Sequence, residues 1–225
     1  MIPWKLIDTA QIPGNGGELQ LLQRDDEFSI SIVGGGVLMN TRAHGSEDAL
    51  AELVCSKIRH RPGSRVLIGG LGMGFTLASA LQHLGLDAEV VVAELVPAVV
   101  GWNRGPLGVY AGNPLHDGRA TVREGDVANI LKSERKAFDA ILLDVDNGPE
   151  GLTRKKNNWL YGMEGLTASY LALRPNGMLA VWSAGPDRDF TERLQKIGFT
   201  VKQARVRAHQ NKGELHTIWL AQRGG

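Results

Sequence analysis

Three glycines and three carboxylates carry the chemistry this sequence suggests. Gly70, Gly72 and Gly74 interrupt the chain directly after an apolar run, Val66-Leu67-Ile68. Glycine permits a tight turn and lets a ligand approach the main chain, and a helix starting there offers free N–H groups. Glu94 closes the next apolar run, where a carboxylate can grip the two hydroxyls of a ribose. Asp126, in Glu124-Gly125-Asp126-Val127, can accept from an adenine amino group beside the Val127 backbone. It suits a helix N-cap equally well. Asp144 ends a third apolar strand and precedes the turn Val145-Asp146-Asn147-Gly148-Pro149. A carboxylate there, facing a bound electrophile, is a candidate general base or amine anchor. Asp146 could serve in its place or merely cap the turn.

The glycine spacing narrows the ligand. A dinucleotide fingerprint reads G-x-G-x-x-G, and here the third glycine of that pattern would fall on Phe75. Gly70-x-Gly72-x-Gly74 fits a nucleoside-binding loop better, which disfavours a nicotinamide dehydrogenase. No His, Asp or Glu spacing suggests a metal site. Asn147 and Tyr161 follow the Asp144 turn, where a loop could cover an acceptor, and Trp182 ends the fifth strand at the ligand-facing edge.

These residues need a scaffold that brings them together. From Arg65 onward the pattern alternates, with strands expected near 65–69, 88–94, 119–123, 138–144, 177–183, 199–206 and 214–221. Helices are expected at 74–84, 96–104, 126–133, 160–173 and 187–197. Such alternation implies an α/β fold with a mostly parallel seven-stranded sheet covered on both faces. In a doubly wound sheet strands one and four are neighbours, so the glycine loop and Asp144 share the crevice at their carboxyl ends. The last two strands are joined by too few residues for a crossover and should form an antiparallel hairpin. Residues 1–43 read differently. Glu18–Leu22, Phe28–Val33 and Val37–Met39 are short apolar or alternating runs between turn signals, as in a small antiparallel β-meander. A linking helix over 44–62 follows, with Ser46 placed to cap it, Glu47 and Asp48 in its first turn and Leu50, Leu53, Val54 and Ile58 on one face. The expected division is therefore 1–43, 44–62 and 63–225.

Bulk properties bound the partners. The 225-residue chain carries 25 Lys and Arg against 24 Asp and Glu, a net charge of +1 that gives no reason to expect nucleic acid or an acidic membrane. The basic run Arg154-Lys155-Lys156 reads as a solvated loop. Cys55 is the one cysteine, which excludes a disulfide framework and fits a buried thiol. No apolar run is long enough to span a bilayer and the first residues lack a signal pattern, so the expected location is cytoplasmic.

The meander, linking helix, glycine loop, Glu94, Gly125-Asp126 and Asp144 with Pro149 together resemble the spermidine synthase family. That family shares the Rossmann-like fold of class I S-adenosylmethionine-dependent methyltransferases. The resemblance covers nearly the whole length. It implies an adenosyl sulfonium donor, S-adenosylmethionine or its decarboxylated form, held by Gly70, Gly72, Gly74, Glu94, Asp126 and Val127. It also implies a small-molecule acceptor, an amine in that family, oriented or deprotonated by Asp144. The family often pairs through its N-terminal and linking elements, which leaves a homodimer open here. Three positions depart from the pattern. Gly72 stands where the family places an acid that pairs with the donor's amine. Asn147 replaces the second acid of the turn. The family's Tyr-His-Glu stretch reads Leu50-Ala51-Glu52, with His44 nearby but out of register. Gly72 tips the expected reaction toward methyl transfer from S-adenosylmethionine. Aminopropyl transfer to a polyamine is the alternative, and a non-catalytic nucleoside-binding module is the rival from another class.

Overall fold

The computed structural model describes residues 2–14, 16–145, 157–209 and 212–225. It begins with four antiparallel strands in the order β1 (Lys5–Gln11), β2 (Glu18–Arg24), β3 (Glu27–Ile32) and β4 (Val37–Asn40). β1 is the strand that sequence patterning did not anticipate. Nearly all of it is exposed, so it has no buried alternation to read, and its pairing is dictated by β2. β2 alternates while β3 is buried along nearly its whole length, and together they bury Leu19, Leu21, Phe28 and Ile30.

α1 (Gly45–Ile58) buries Leu50, Val54, Cys55 and Ile58. Ser46 does not cap it. The helix starts at Gly45, which puts Ser46 inside the first turn, where its hydroxyl donates to Glu47 Oε2 at 2.6 Å. The chain then runs β5 (Arg65–Gly69), α2 (Phe75–His83), β6 (Glu89–Glu94), α3 (Pro97–Arg104), β7 (Ala120–Glu124), α4 (Val127–Ser133) and β8 (Phe138–Leu143). After the undescribed segment come α5 (Asn157–Tyr161), α6 (Met163–Ala172), β9 (Leu173–Ser183), α7 (Arg188–Ile197), β10 (Thr200–His209) and β11 (Lys212–Gln222). The single helix expected over 160–173 is two helices with a corner at Gly162. Gly165 makes the corner tight, since a Cβ there would sit 2.3 Å from the Trp159 carbonyl oxygen. β9 also starts earlier than expected. Arg174 ion-pairs with buried Asp139 on β8, and a register break between Phe138 and Ala140 accommodates the Pro175-Asn176 stretch.

The second sheet has the order β10-β11-β9-β8-β5-β6-β7. Strands β9, β8, β5, β6 and β7 run parallel, and β11 is antiparallel to both β9 and β10. Central strands β5 and β8 are buried on both faces, which explains their unbroken apolar runs. One core lies under α1, α2, α3 and the four-stranded sheet, and the other under α4, α6 and α7. Trp102 of α3 donates its indole N–H to Asp8 of β1 at 2.7 Å, and Phe28 of β3 meets Tyr110 edge-on, fixing the small sheet over one end of the large one. Among the described residues no helix is long and apolar enough to cross a membrane.

Candidate active site

The topology delivers the expected crevice. Gly69 and Leu143 are register partners, and the Asp144 N–H donates to the Gly69 carbonyl at 2.9 Å. Asp144 therefore leaves the sheet beside the glycine loop, although far from it in sequence. Gly70, Gly72 and Gly74 all have positive φ, at 86°, 52° and 85°. Gly70 has no room for a side chain, because a Cβ would come 2.5 Å from the Asp144 carbonyl oxygen. A Cβ at Gly72 would meet only the end of the Met39 side chain, its sulfur at 3.2 Å.

One pocket opens above Gly70 and Gly72 and is lined by Glu94, Gly125, Asp126, Val127, Asp144, Val145 and Leu160. Glu94 is buried and braced from both sides. Its Oε2 accepts from the Leu71 N–H and its Oε1 from the Val96 N–H, each at 2.8 Å. Burial raises its pKa in spite of these donors. Each oxygen keeps a lone pair for a ligand hydroxyl. Asp126 accepts from the Ala128 N–H at 2.9 Å and so caps α4, while also lining the pocket. The two readings open for it in the sequence are compatible. The small sheet forms the opposite wall with Ile12, Leu19, Ile30, Ile32, Leu38 and Met39, a contribution that sequence inspection did not foresee.

A second cavity adjoins the first and shares Leu38, Met39, Gly72 and Asp144 with it. Thr76, Phe75, Met73, Trp182 and Glu47 line it too, with Asn40 and Leu71. Thr76 donates its hydroxyl to Asp144 Oδ2 at 2.5 Å. Burial pushes the Asp144 pKa up to about 6 against that hydrogen bond. Glu47 rises to about 7, first through burial and then through the charge of Asp144. Glu47 was missed as a site residue because an acid in a first helical turn is adequately explained by the helix dipole. A signal was nonetheless present, since α1 must pack on α2 directly beside the glycine loop.

The remaining candidates separate. Trp182 lines the second cavity, with its ring 4.7 Å from that of His216. Its indole N–H is buried without a hydrogen-bond partner among the described residues. His44 lines neither cavity. Its Nδ1 lies 2.7 Å from Asp48 Oδ2, which raises its pKa, and its ring stacks on Phe75 at 4.1 Å. Tyr161 is buried against Phe190 and donates its hydroxyl to the Val145 carbonyl at 3.0 Å, steadying the segment after Asp144. Asp146 and Asn147 lie outside the described residues.

No family model matches the chain. Over 127 residues it is 33% identical to polyamine aminopropyltransferase 1 of Streptomyces coelicolor, a stretch amounting to 56% of this chain and 23% of that protein. The spermidine synthase of Thermotoga maritima superposes with a TM-score of 0.77 at 18% identity, covering 98% of this chain and 73% of that one. The fold is spermidine-synthase-like. A spermidine synthase in complex with the transition-state analogue AdoDATO superposes at a TM-score of 0.74 and 19% identity, with the same coverage of both chains. The spermidine-synthase-like fold accounts for both sheets, the small N-terminal one and the large mixed one with its antiparallel end. At these identities the solved structures establish shared fold. The sequence relative is matched over only about a quarter of its own length.

Proposed function

We propose that the protein transfers an alkyl group from an adenosyl sulfonium donor to an amine, and that the group is aminopropyl. One observation carries this reading. A pocket with ribose- and adenine-type acceptors, Glu94 and Asp126, shares Gly72 and Asp144 with a second cavity whose charged groups are the carboxylates Glu47 and Asp144. The first half suits an adenosyl group and the second suits cations. The name of the sequence relative and the fold of the solved spermidine synthases support the aminopropyl form over methyl transfer. Methyl transfer keeps a single point in its favour, the absence of an acid at Gly72. The acids on the neighbouring wall weaken that point, because they oppose the carboxylate of intact S-adenosylmethionine.

The reaction is an in-line displacement. The acceptor nitrogen uses its lone pair to attack the carbon next to sulfur, the carbon–sulfur bond breaks and its electrons return to sulfur as a neutral thioether. Positioning supplies much of the rate in such a step. An ammonium has no lone pair, so a base must take its proton first. The Thr76 hydrogen bond and the raised pKa of buried Asp144 support that residue in this role. Incubation with decarboxylated S-adenosylmethionine and 1,4-diaminobutane, read by mass spectrometry, should give an aminopropylated amine and methylthioadenosine. A methylated amine from S-adenosylmethionine with no aminopropyl product would establish the methyl reading instead. Methylthioadenosine binding with neither product would leave the binding module.

A further inference from the structure

The two cavities divide the acidic residues of the crevice between them. Glu94 and Asp126 line only the first cavity and Glu47 only the second, while Gly72 and Asp144 line both. A donor whose adenosyl end is held by Glu94 and Asp126, and whose tail outruns that cavity, would pass the shared groups Gly72 and Asp144 toward Glu47. Gly72 itself offers no acid, and a side chain there would meet only that of Met39. Beyond, the described lining offers two carboxylates and no cation.

We propose that Glu47, acting with Asp144, selects donors whose tail ends in an ammonium and rejects those that add a carboxylate. The inference rests on the adenosyl-donor reading given above. Opposite charge within a few ångströms in a partly dehydrated cavity attracts strongly, and like charge repels as strongly. Glu47 is prepared for this role. Ser46 holds its Oε2, and among the described residues no salt bridge pairs it with a cation. The neighbouring histidine, His44, is engaged with Asp48. An acid serving only the helix dipole would point to solvent. Glu47 instead sits in a cavity against a second acid, an arrangement that costs stability unless a cation enters.

Calorimetric titration with methylthioadenosine, decarboxylated S-adenosylmethionine and S-adenosylmethionine tests this on the wild type, Glu47→Gln and Glu47→Asp. Methylthioadenosine, which lacks the charged tail, should bind all three proteins within about threefold. The preference for the decarboxylated donor over S-adenosylmethionine should fall by about tenfold or more in Glu47→Gln, the scale of one lost charge pair. Glu47→Asp should recover part of it. An unchanged preference in Glu47→Gln overturns the assignment, and so does loss of methylthioadenosine binding in that variant, which would make Glu47 a structural residue. The wild-type preference judges the aminopropyl reading separately. A wild type that favours S-adenosylmethionine removes that reading, while the shift on substitution still decides the role of Glu47. Failure of the wild type to bind methylthioadenosine removes the donor pocket and this inference with it.

Discussion

Replacing Glu47 by Gln should stabilise the free protein at alkaline pH and leave it nearly unchanged in acid. The carboxyl titrates near 4.5 in an unfolded chain and at about 7 in the fold, chiefly because of burial and secondly because Asp144 repels its charge. Between those values the folded state binds more protons than the unfolded one, so stability falls as pH rises through that window. Below pH 4.5 both states are protonated and the penalty is absent. Above pH 7 it is complete. A displacement of that size corresponds to about 3 kcal/mol, and because Asp144 shares the effect we expect about 2 kcal/mol to be recovered by the amide. For a chain of this length that is about 6 °C in Tm. The Gln side chain keeps an oxygen for the Ser46 hydroxyl, so the comparison isolates the charge. Thermal scans of both proteins at pH 4 and pH 8, without ligand, provide the measurement. An equal Tm difference at the two pH values, or a less stable variant at pH 8, would refute the claim that Glu47 is held in an unfavourable site.

Other perturbations probe the rest of the crevice. Gly70→Ala combines a positive φ with a Cβ at 2.5 Å from the Asp144 carbonyl oxygen, and should cost about 3 kcal/mol and abolish methylthioadenosine binding. A variant within 1 °C of the wild type by thermal scan would contradict that. Thr76→Val removes the hydrogen bond that lowers the Asp144 pKa, so that pKa should rise further above its ordinary value. The acid limb of a pH profile of kcat/KM with an amine acceptor should move to higher pH, and an unmoved limb would exclude Asp144 as the base. Glu94→Gln places an amide N–H against the N–H of Leu71 or Val96, and should weaken methylthioadenosine binding by about 10- to 100-fold in calorimetry.

Much of this site could be read from residue order alone, and the reason is physical. Gly70, Glu94 and Asp144 each stand at the end of a buried strand, and parallel strands announce themselves by continuous apolar runs. Once strands one and four are neighbours, those three ends meet. β1 escaped notice because an exposed edge strand has no buried face to impose a pattern. The break at Gly162 was hidden because α5 and α6 are both apolar and adjacent in sequence. Glu47 was hidden for a different reason. Its role depends on α1 packing beside α2, a tertiary relation legible only from the order of the elements and not from the residues around Glu47. His44 stood out as the histidine near the resembled family's Tyr-His-Glu stretch, yet the structure engages it with Asp48 and Phe75 while its neighbour three residues on reaches the cavity.

The small sheet does more than cover the pocket. Because Ile12, Leu19, Ile30, Ile32, Leu38 and Met39 face the glycine loop across it, an adenosyl group bound there becomes buried filling between the two sheets. Its binding should then carry a clearly negative heat-capacity change. Amide hydrogen exchange should slow in β2 and β3, strands that contribute none of the polar groups expected to hold the nucleoside. Occupancy of the crevice would thereby be felt along the N-terminal strands as a gain in order.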